Sequence, residues 1–283
     1  MGLEFPGGLG AAVAATTARA LLSGALEPIE TQVEALEDDG VRFVLRRVSS
    51  VGRKRLAAIS NRRGNPFLPH DPELEVEARS ETHVALLNKF PVLDLHVLLV
   101  TRRFVPQEAV LDLDDLEGMA ACLAQIDGLA FYNGGAEAGA SQPHKHVQFV
   151  PLPLGLDDED LPIEAALDDG LPFRHALVRL VPPLSGIPVV DAARLDSAYR
   201  GALAVAGIDT VCYDDLEVHL VPYNLLVTRR FVLVVARTRD RVEGISLNAL
   251  GYAGSLFAAD DDGLATIRRL GPMNLLRAAA VPA

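Results

Sequence analysis

With 283 residues, 49% of them hydrophobic and 23% charged, the chain has apolar mass for one large or two small ordered domains. Its 26 basic residues stand against 38 acidic ones, a net charge of −12 that argues against a general nucleic-acid binder. The two cysteines, Cys122 and Cys212, are far apart and form no CxxC pair, so neither a disulfide framework nor a cysteine zinc site is expected.

In chain order, the alanine-rich stretch 7–26 is interrupted by Thr16, Thr17, Arg19 and Ser23 and lacks a basic leader. A signal peptide or membrane span is therefore not expected, and a cytoplasmic protein is. Apolar spacing predicts one or two helices over 10–37, stopped by Asp38-Asp39-Gly40. Residues 41–48 alternate as a strand, followed by a basic loop around Lys54. Asn65-Pro-Phe-Leu-Pro69 reads as a rigid turn, because two prolines in five residues exclude helix and interior strand. Strands are predicted at 82–87 and 96–100, joined through Asn88-Lys89-Phe90-Pro91-Val92. An amphipathic helix with an acidic first turn follows at 112–126. A strand at 129–133 runs into Gly134-Gly135. The acidic, proline-punctuated stretch 155–170 reads as a surface excursion or short helix. A helix at 191–206 precedes strands at 218–222, 224–228 and 231–236. A glycine-punctuated loop at 248–254 and a last helix near 261–270 complete the chain.

Two further features bear on organisation and chemistry. The heptapeptide LLVTRRF occurs at 98–104 and again at 225–231, which raises duplication of a half, about 1–155 and 156–283, within a single domain over 1–283. Only Lys54, Lys89 and Lys145 are lysines, so 26 − 3 = 23 basic residues are arginine. Where arginine serves as the generic cation, the surviving lysines are candidates for contact with a phosphate.

The stretch GASQPHKHVQ, residues 139–148, concentrates the chemistry. In a strand, His144, His146 and Gln148 share one face, and Lys145, Val147 and Phe149 share the other. The small residues Gly139, Ala140 and Ser141, with Gln142, allow close backbone approach and offer N–H donors to an anion. Three readings are open. The imidazoles could chelate a metal, but His70, His83, His96, His175 and His219 supply no ligand pattern for a third position. They could form a buried polar cluster, in which both rings need partners. Or one imidazole could act as a nucleophile, positioned by the other, with the glutamine amide donating to a phosphate oxygen.

This motif resembles the active-site strand of diadenosine tetraphosphate phosphorylases, also called ATP adenylyltransferases, the histidine-triad branch with glutamine in the third position. Leu22-Ser-Gly-Ala-Leu-Glu-Pro-Ile29, Lys54, Asn65-Pro-Phe67, Asn88-Lys-Phe-Pro91, Tyr223-Asn-Leu-Leu-Val-Thr228 and Asn248-Ala-Leu-Gly-Tyr-Ala-Gly254 follow the family's order. The resemblance implies an α+β fold, an antiparallel histidine-triad-like sheet flanked by helices. It implies phosphorolysis of diadenosine tetraphosphate to ATP and ADP through an adenylyl-histidine on His146, with His144 orienting and Gln148 holding the transferred phosphoryl oxygens. It implies substrate contacts at Lys54, Asn65, Phe67, Asn88, Lys89, Asn133, Gly139, Ala140, Ser141, Gln142, Asn248, Gly251 and Gly254. For Asn133, Phe67 and the glycines, a turn or core role is the competing reading. A divalent cation such as magnesium is expected to assist, with no tightly bound metal. The partners expected are small nucleotides and phosphate, with neither nucleic acid nor membrane. Galactose-1-phosphate uridylyltransferases share HxHxQ, but the chain lacks the cysteine and histidine zinc ligands many of them carry. An adenylyl-sulfate transferase and a non-catalytic nucleotide sensor stay open beside them.

Overall fold

The structure, a computed structural model, describes residues 2–49, 64–154 and 161–283. Helix α1 (Leu9–Ser23) ends at Gly24, whose φ of 75° supplies the left-handed cap that favours glycine. The strands that follow, β1 (Thr31–Asp38) and β2 (Val41–Val48), pair antiparallel across a two-residue turn at Asp39-Gly40. Both turn residues have positive φ, 51° and 76°, as a tight Asp-Gly hairpin requires. The predicted helix over 10–37 is therefore a helix and then a strand. Pro28 interrupts the helical run, and β1 gains its stability from pairing along all of β2 rather than from its own helix-favouring residues.

The central sheet contains β3 (His83–Leu87), β4 (Val97–Thr101), β5 (Gly128–Gly134), β6 (His146–Pro151), β7 (His175–Arg179), β10 (Tyr223–Val227) and β11 (Phe231–Ala236). Its order is β3-β4-β6-β5-β10-β11-β7, and every pair is antiparallel. Helices α2 (Leu113–Gln125) and α4 (Pro188–Val205) lie on one face. The short helix α3 (Glu164–Leu167) falls in the acidic stretch expected as a surface excursion or short helix, and Leu161, Ile163 and Leu167 there are core residues rather than a solvated face. A hairpin, β8 (Thr210–Tyr213) with β9 (Leu216–His219), follows α4; β8 is not expected from the sequence, and the strand expected at 218–222 lies earlier, as β9. After β11 come the small hairpin β12 (Arg241–Val242) and β13 (Ile245–Ser246), then α5 (Ala249–Tyr252). Strand β14 (Ser255–Ala258) runs parallel to β2 and completes a three-stranded sheet. Helices α6 (Asp261–Leu270) and α7 (Pro272–Ala279) end the chain. The loop predicted at 248–254 contains α5, and a helix not predicted, α7, begins at Pro272 directly after Gly271, which ends α6.

Period-two burial sorts the sheet residues. On β11, Val232, Val234 and Ala236 enter the core under α2 and α4, while Phe231, Leu233 and Val235 enter a second core beneath β2 and α5–α7. All six are essentially inaccessible, at about 1.5–3 kcal/mol for each large aliphatic or aromatic side chain, which anchors this half of the sheet. At the centre, β5 pairs with β10 so that Asn133 stands opposite Asn224. The order is symmetric about that pair when β4-α2-β5-β6 is matched with β7-α4-β10-β11. The two LLVTRRF copies lie on β4 and β10, which are not matched positions, so the heptapeptide echo is not the trace of this symmetry. No described helix is long and apolar enough to cross a membrane.

Candidate active site

Strand β6 begins at His146, and its position is set by a strap over residues 101–107. Gln107 N donates to Pro143 O at 2.9 Å, Lys145 N to Val105 O at 2.7 Å, and His146 N to Gln107 Oε1 at 3.0 Å. Gln107 Nε2 donates to Asn133 O at 2.9 Å, tying the strap to β5 as well. Behind the strand, Lys145 points to the helix face, as alternation requires. Its ammonium meets Asp115 at 2.6 Å, and the other Asp115 oxygen is 2.9 Å from His83 Nε2. Asp115 is also the third residue of α2 and closes a capping box with Asp112. Burial alone would raise the Asp115 carboxyl, but the His83 hydrogen bond and the Lys145 charge outweigh it and hold it low. Lys145 is thus committed to anchoring β6 against α2 and points away from the histidines.

On the opposite face, His144 and His146 sit against Phe67, with ring centroids 5.7 and 5.4 Å away. His146 Nδ1 lies 2.8 Å from the carbonyl of His144. A carbonyl only accepts, so Nδ1 carries the proton and Nε2 keeps its lone pair. Burial pushes the imidazole down to about 4, with the carbonyl bond opposing and the His144 ring adding to the effect. At neutral pH this is an uncharged ring with a free basic nitrogen. His144 is engaged at both nitrogens. Nε2 faces Thr101 O at 2.8 Å and Arg103 O at 3.1 Å, and Nδ1 accepts from Asn65 Nδ2 at 3.0 Å. Burial lowers its pKa against these carbonyls.

A second chain of bonds runs to Gln148. Phe90 N donates to Asn88 Oδ1 at 3.2 Å, and Asn88 Nδ2 faces His96 Nδ1 at 3.1 Å. His96 Nε2 donates to Gln148 Oε1 at 2.8 Å. This fixes the flip of the glutamine, so its NH₂ is left for a ligand. Asn65-Pro-Phe67 repeats the arrangement, with Phe67 N donating to Asn65 Oδ1 at 2.9 Å. In the sequence His96 is one of five scattered histidines. Its place opposite Gln148 follows from β4–β6 register, which pairs Leu98 with Gln148.

The loop ahead of the motif is held from below. Gly139 has φ 89°, and a Cβ there would lie 2.6 Å from Leu247 O. Under the loop, the fully buried Arg237 donates to Ala138 O at 3.3 Å, Leu247 O at 3.1 Å and Asn224 Oδ1. Asn224 Nδ2 donates to Ala138 O and to Asn133 Oδ1, both at 2.8 Å. The sequence does not single out Arg237, since nothing local distinguishes a buried arginine in a chain with 23 of them, and it gives Asn224 only as part of the 223–228 segment, with no role.

Placement divides the expected site residues. His144, His146, Gln148, Asn65, Phe67, Asn88 and Asn133 converge. Asn65 and Asn88 act through histidines rather than as free groups, and Phe67, in a small cluster with Val84, Leu86, Leu98 and Val100, packs beneath the rings instead of offering a face to a base. Asn133 Oδ1 accepts from Asn224 and from Ala249 N at 2.9 Å, leaving its Nδ2 without a bond among the described residues. Ala140 N donates to Gly135 O at 3.2 Å; Ser141 is exposed and Gln142 half-buried at the rim. Lys89 lies 3.8 Å from Asp71. Asn248 caps α5 through Leu250 N at 3.0 Å and packs on Gly139. Gly251 and Gly254 are buried by packing. A Cβ on Gly251 would meet Leu276 at 3.4 Å, and one on Gly254, at φ 99°, would meet Pro162 at 2.5 Å. Backbone geometry and close packing require glycine at Gly254, whereas Gly251 is helical with room for a Cβ at ordinary contact distance, and both positions are buried. Lys54 lies outside the described residues. Among the described residues no group of three or more His, Cys, Asp or Glu could hold a metal ion.

Comparison with known proteins converges on one family. The model for the Ap4A phosphorylase N-terminal domain matches residues 3–169, and the model for the ATP adenylyltransferase C-terminal domain matches residues 169–282. Diadenosine 5',5'''-P1,P4-tetraphosphate phosphorylase 2 of Saccharomyces cerevisiae is 29% identical over 231 residues, taking in 71% of this chain and 70% of the yeast protein. Protein APA1 of the same yeast is 28% identical over 210 residues, 65% of this chain and 64% of that protein. The crystal structure of yeast Ap4A phosphorylase Apa2 in complex with AMP superposes with a TM-score of 0.76 at 24% identity, covering 97% of this chain and 96% of that one. The chain belongs to the Ap4A phosphorylase and ATP adenylyltransferase family of nucleotidyltransferases.

Proposed function

We propose that the protein catalyses reversible phosphorolysis of diadenosine 5',5'''-tetraphosphate by phosphate, giving ATP and ADP through an adenylyl group carried on His146. The observation that carries this reading is the His146 tautomer. Its Nδ1 is committed to the His144 carbonyl, so Nε2 is the nucleophilic atom. Nε2 attacks the α-phosphorus, the bond to the ATP leaving group breaks, and a phosphate oxygen then displaces the imidazole to form ADP. The NH₂ of Gln148 donates to the nonbridging oxygens as charge redistributes. Asn133 Nδ2 and the rim at Ser141 and Gln142 contact the polyphosphate. A glutamine in place of an imidazole offers no acid or base to activate water, which favours transfer to phosphate. The relatives named for this reaction support the same substrate.

A divalent cation enters this reading as the counter-ion of the polyphosphate, held by the substrate rather than by a cluster of protein ligands. We place the protein in the cytoplasm with small nucleotides as its partners, and the net charge of −12 disfavours nucleic acid.

Product analysis with diadenosine tetraphosphate, phosphate and magnesium tests the reading. ATP and ADP should appear in equal amounts. Formation of AMP at the expense of ADP would make water the acceptor, and no consumption beside turnover of a hexose-phosphate or adenylyl-sulfate substrate would redirect the assignment. A second prediction concerns the glutamine relay. Gln148→Ala should lower kcat by about 10²-fold, with a much smaller change in KM, the size seen when one preorganised donor is removed. His96→Ala, which frees the Gln148 amide to rotate, should reproduce part of that kcat loss. Steady-state kinetics of both variants checks it; a loss confined to KM would remove Gln148 from the transition state.

A further inference from the structure

Phe104 stands out among the exposed large hydrophobic side chains by where and how it is held. The residue is 55% exposed, and its ring centroid lies 5.4 Å from that of His144, at an interplanar angle of 57°. An isolated exposed hydrophobic residue needs no explanation. This one is fixed on both sides. The preceding carbonyl, Arg103 O, accepts from Thr101 Oγ1 at 2.8 Å and faces His144 Nε2 at 3.1 Å. The following carbonyl, Val105 O, accepts from Lys145 N at 2.7 Å, and Pro106 forms a bridge with His144. The strap that sets the catalytic strand thus also presents this ring. The other copy of the same heptapeptide provides a contrast: Phe231 is fully buried on β11. Because Phe67 is occupied beneath the histidines, no base-stacking face comes from the Asn65-Pro-Phe67 turn.

We propose that Phe104 is a stacking platform for a purine base of the dinucleotide, beside the reacting phosphorus. Alternate residues on an extended segment are about 7 Å apart, so a ring next to His144 falls within one nucleotide's length of a phosphorus at His146 Nε2. An aromatic ring already packed on His144, on a backbone held at both neighbouring carbonyls, loses less freedom on meeting a base than a free side chain would. The proposal rests on the nucleotide reading of the site and adds the surface that recognises the base.

The chain contains no tryptophan, so Phe104→Trp introduces a single indole at the platform. ADP should quench its fluorescence, and inorganic tripolyphosphate, which shares the phosphates but has no base, should not. In kinetics, Phe104→Ala and Phe104→Leu should raise KM for diadenosine tetraphosphate by about 5-fold or more, with Phe104→Tyr restoring it, as expected for loss of one base–aromatic stack. A KM within about 2-fold of the parent in both Ala and Leu variants, or equal responses of the indole to ADP and tripolyphosphate, overturns the proposal. The Tyr and Trp variants keep a ring and remain informative if the truncated ones unfold. Fluorescence needs no turnover, so quenching by ADP without phosphorolysis would sink the reaction reading and leave the platform standing. Normal phosphorolysis with an unaffected KM would do the reverse.

Discussion

His146→Ala is expected to lose at least about 10³-fold in phosphorolysis while keeping its fold, because it removes the atom proposed to form the bond to phosphorus. Label from the α-phosphate of ATP, retained on the parent protein after denaturation, should be absent from this variant. His144→Ala should behave differently. Both nitrogens of His144 are already bonded, to Asn65 and to the Thr101 and Arg103 carbonyls, and the carbonyl that fixes the His146 tautomer is backbone. It survives the substitution. The expected loss is therefore about 10²-fold, the scale of a misplaced reacting group, with label still forming slowly. Rapid-quench measurement of labelling in both variants separates the two roles. Label of normal amplitude on His146→Ala would move the nucleophile elsewhere.

How much of this is legible in the sequence depends on the range of the interaction. Alternation along 144–149 places Lys145 opposite the two histidines, and the structure puts it against Asp115 and away from the rings. The strands at 41–48 and 231–236 are legible because each is a short run rich in Val, Leu and Phe bounded by turn residues, and the helix near 261–270 because its apolar positions recur at helical spacing after an acidic start. Residues 31–38 are not. TQVEALED carries good helix formers, and only its pairing with β2 through Asp39-Gly40 makes it a strand. The Asp-Gly dipeptide is visible, but it suits a helix stop as well as a hairpin turn. Within the site, the motif residues are legible, whereas their supports are not. His96, Gln107, Asn224 and Arg237 reach the site through sheet register and strap geometry, across 13 to 99 residues of sequence in the bonds that matter. A neutral asparagine that orients a histidine looks the same in sequence as one that binds a nucleotide.

Acid should destabilise the protein well before its carboxylates titrate, and the histidines set the window. Burial pushes His96, His146 and His219 down to about 4 from an ordinary 6.5. The unfolded chain therefore binds more protons than the native one between about pH 6.5 and 4, and unfolding free energy rises with pH across that interval. The stability these neutral rings represent is complete above pH 6.5, falls as the pH drops toward 4, and is lost below it. One such ring corresponds to roughly 3 kcal/mol, and the sum is less than three times that because His96 and His146 sense each other's charge. Denaturant midpoints at steps from pH 7 to 4.5 should fall progressively, and a flat profile down to pH 4.5 would contradict the burial of these groups. His219 allows the effect to be divided. Neither of its ring nitrogens makes a hydrogen bond of ordinary geometry among the described residues, the Val221 backbone and the Glu137 charge oppose the effect of burial only in part, and its ring packs edge-on against Tyr223 at 4.9 Å. His219→Leu therefore removes a titrating group without removing a well-formed hydrogen bond. It should leave stability at pH 7 within about 1.5 kcal/mol of the parent and flatten the acid slope, as a volume-similar apolar replacement permits. An unchanged slope would mean that His219 is already protonated in the native protein or reaches water, and the dependence would then belong to the active-site pair alone.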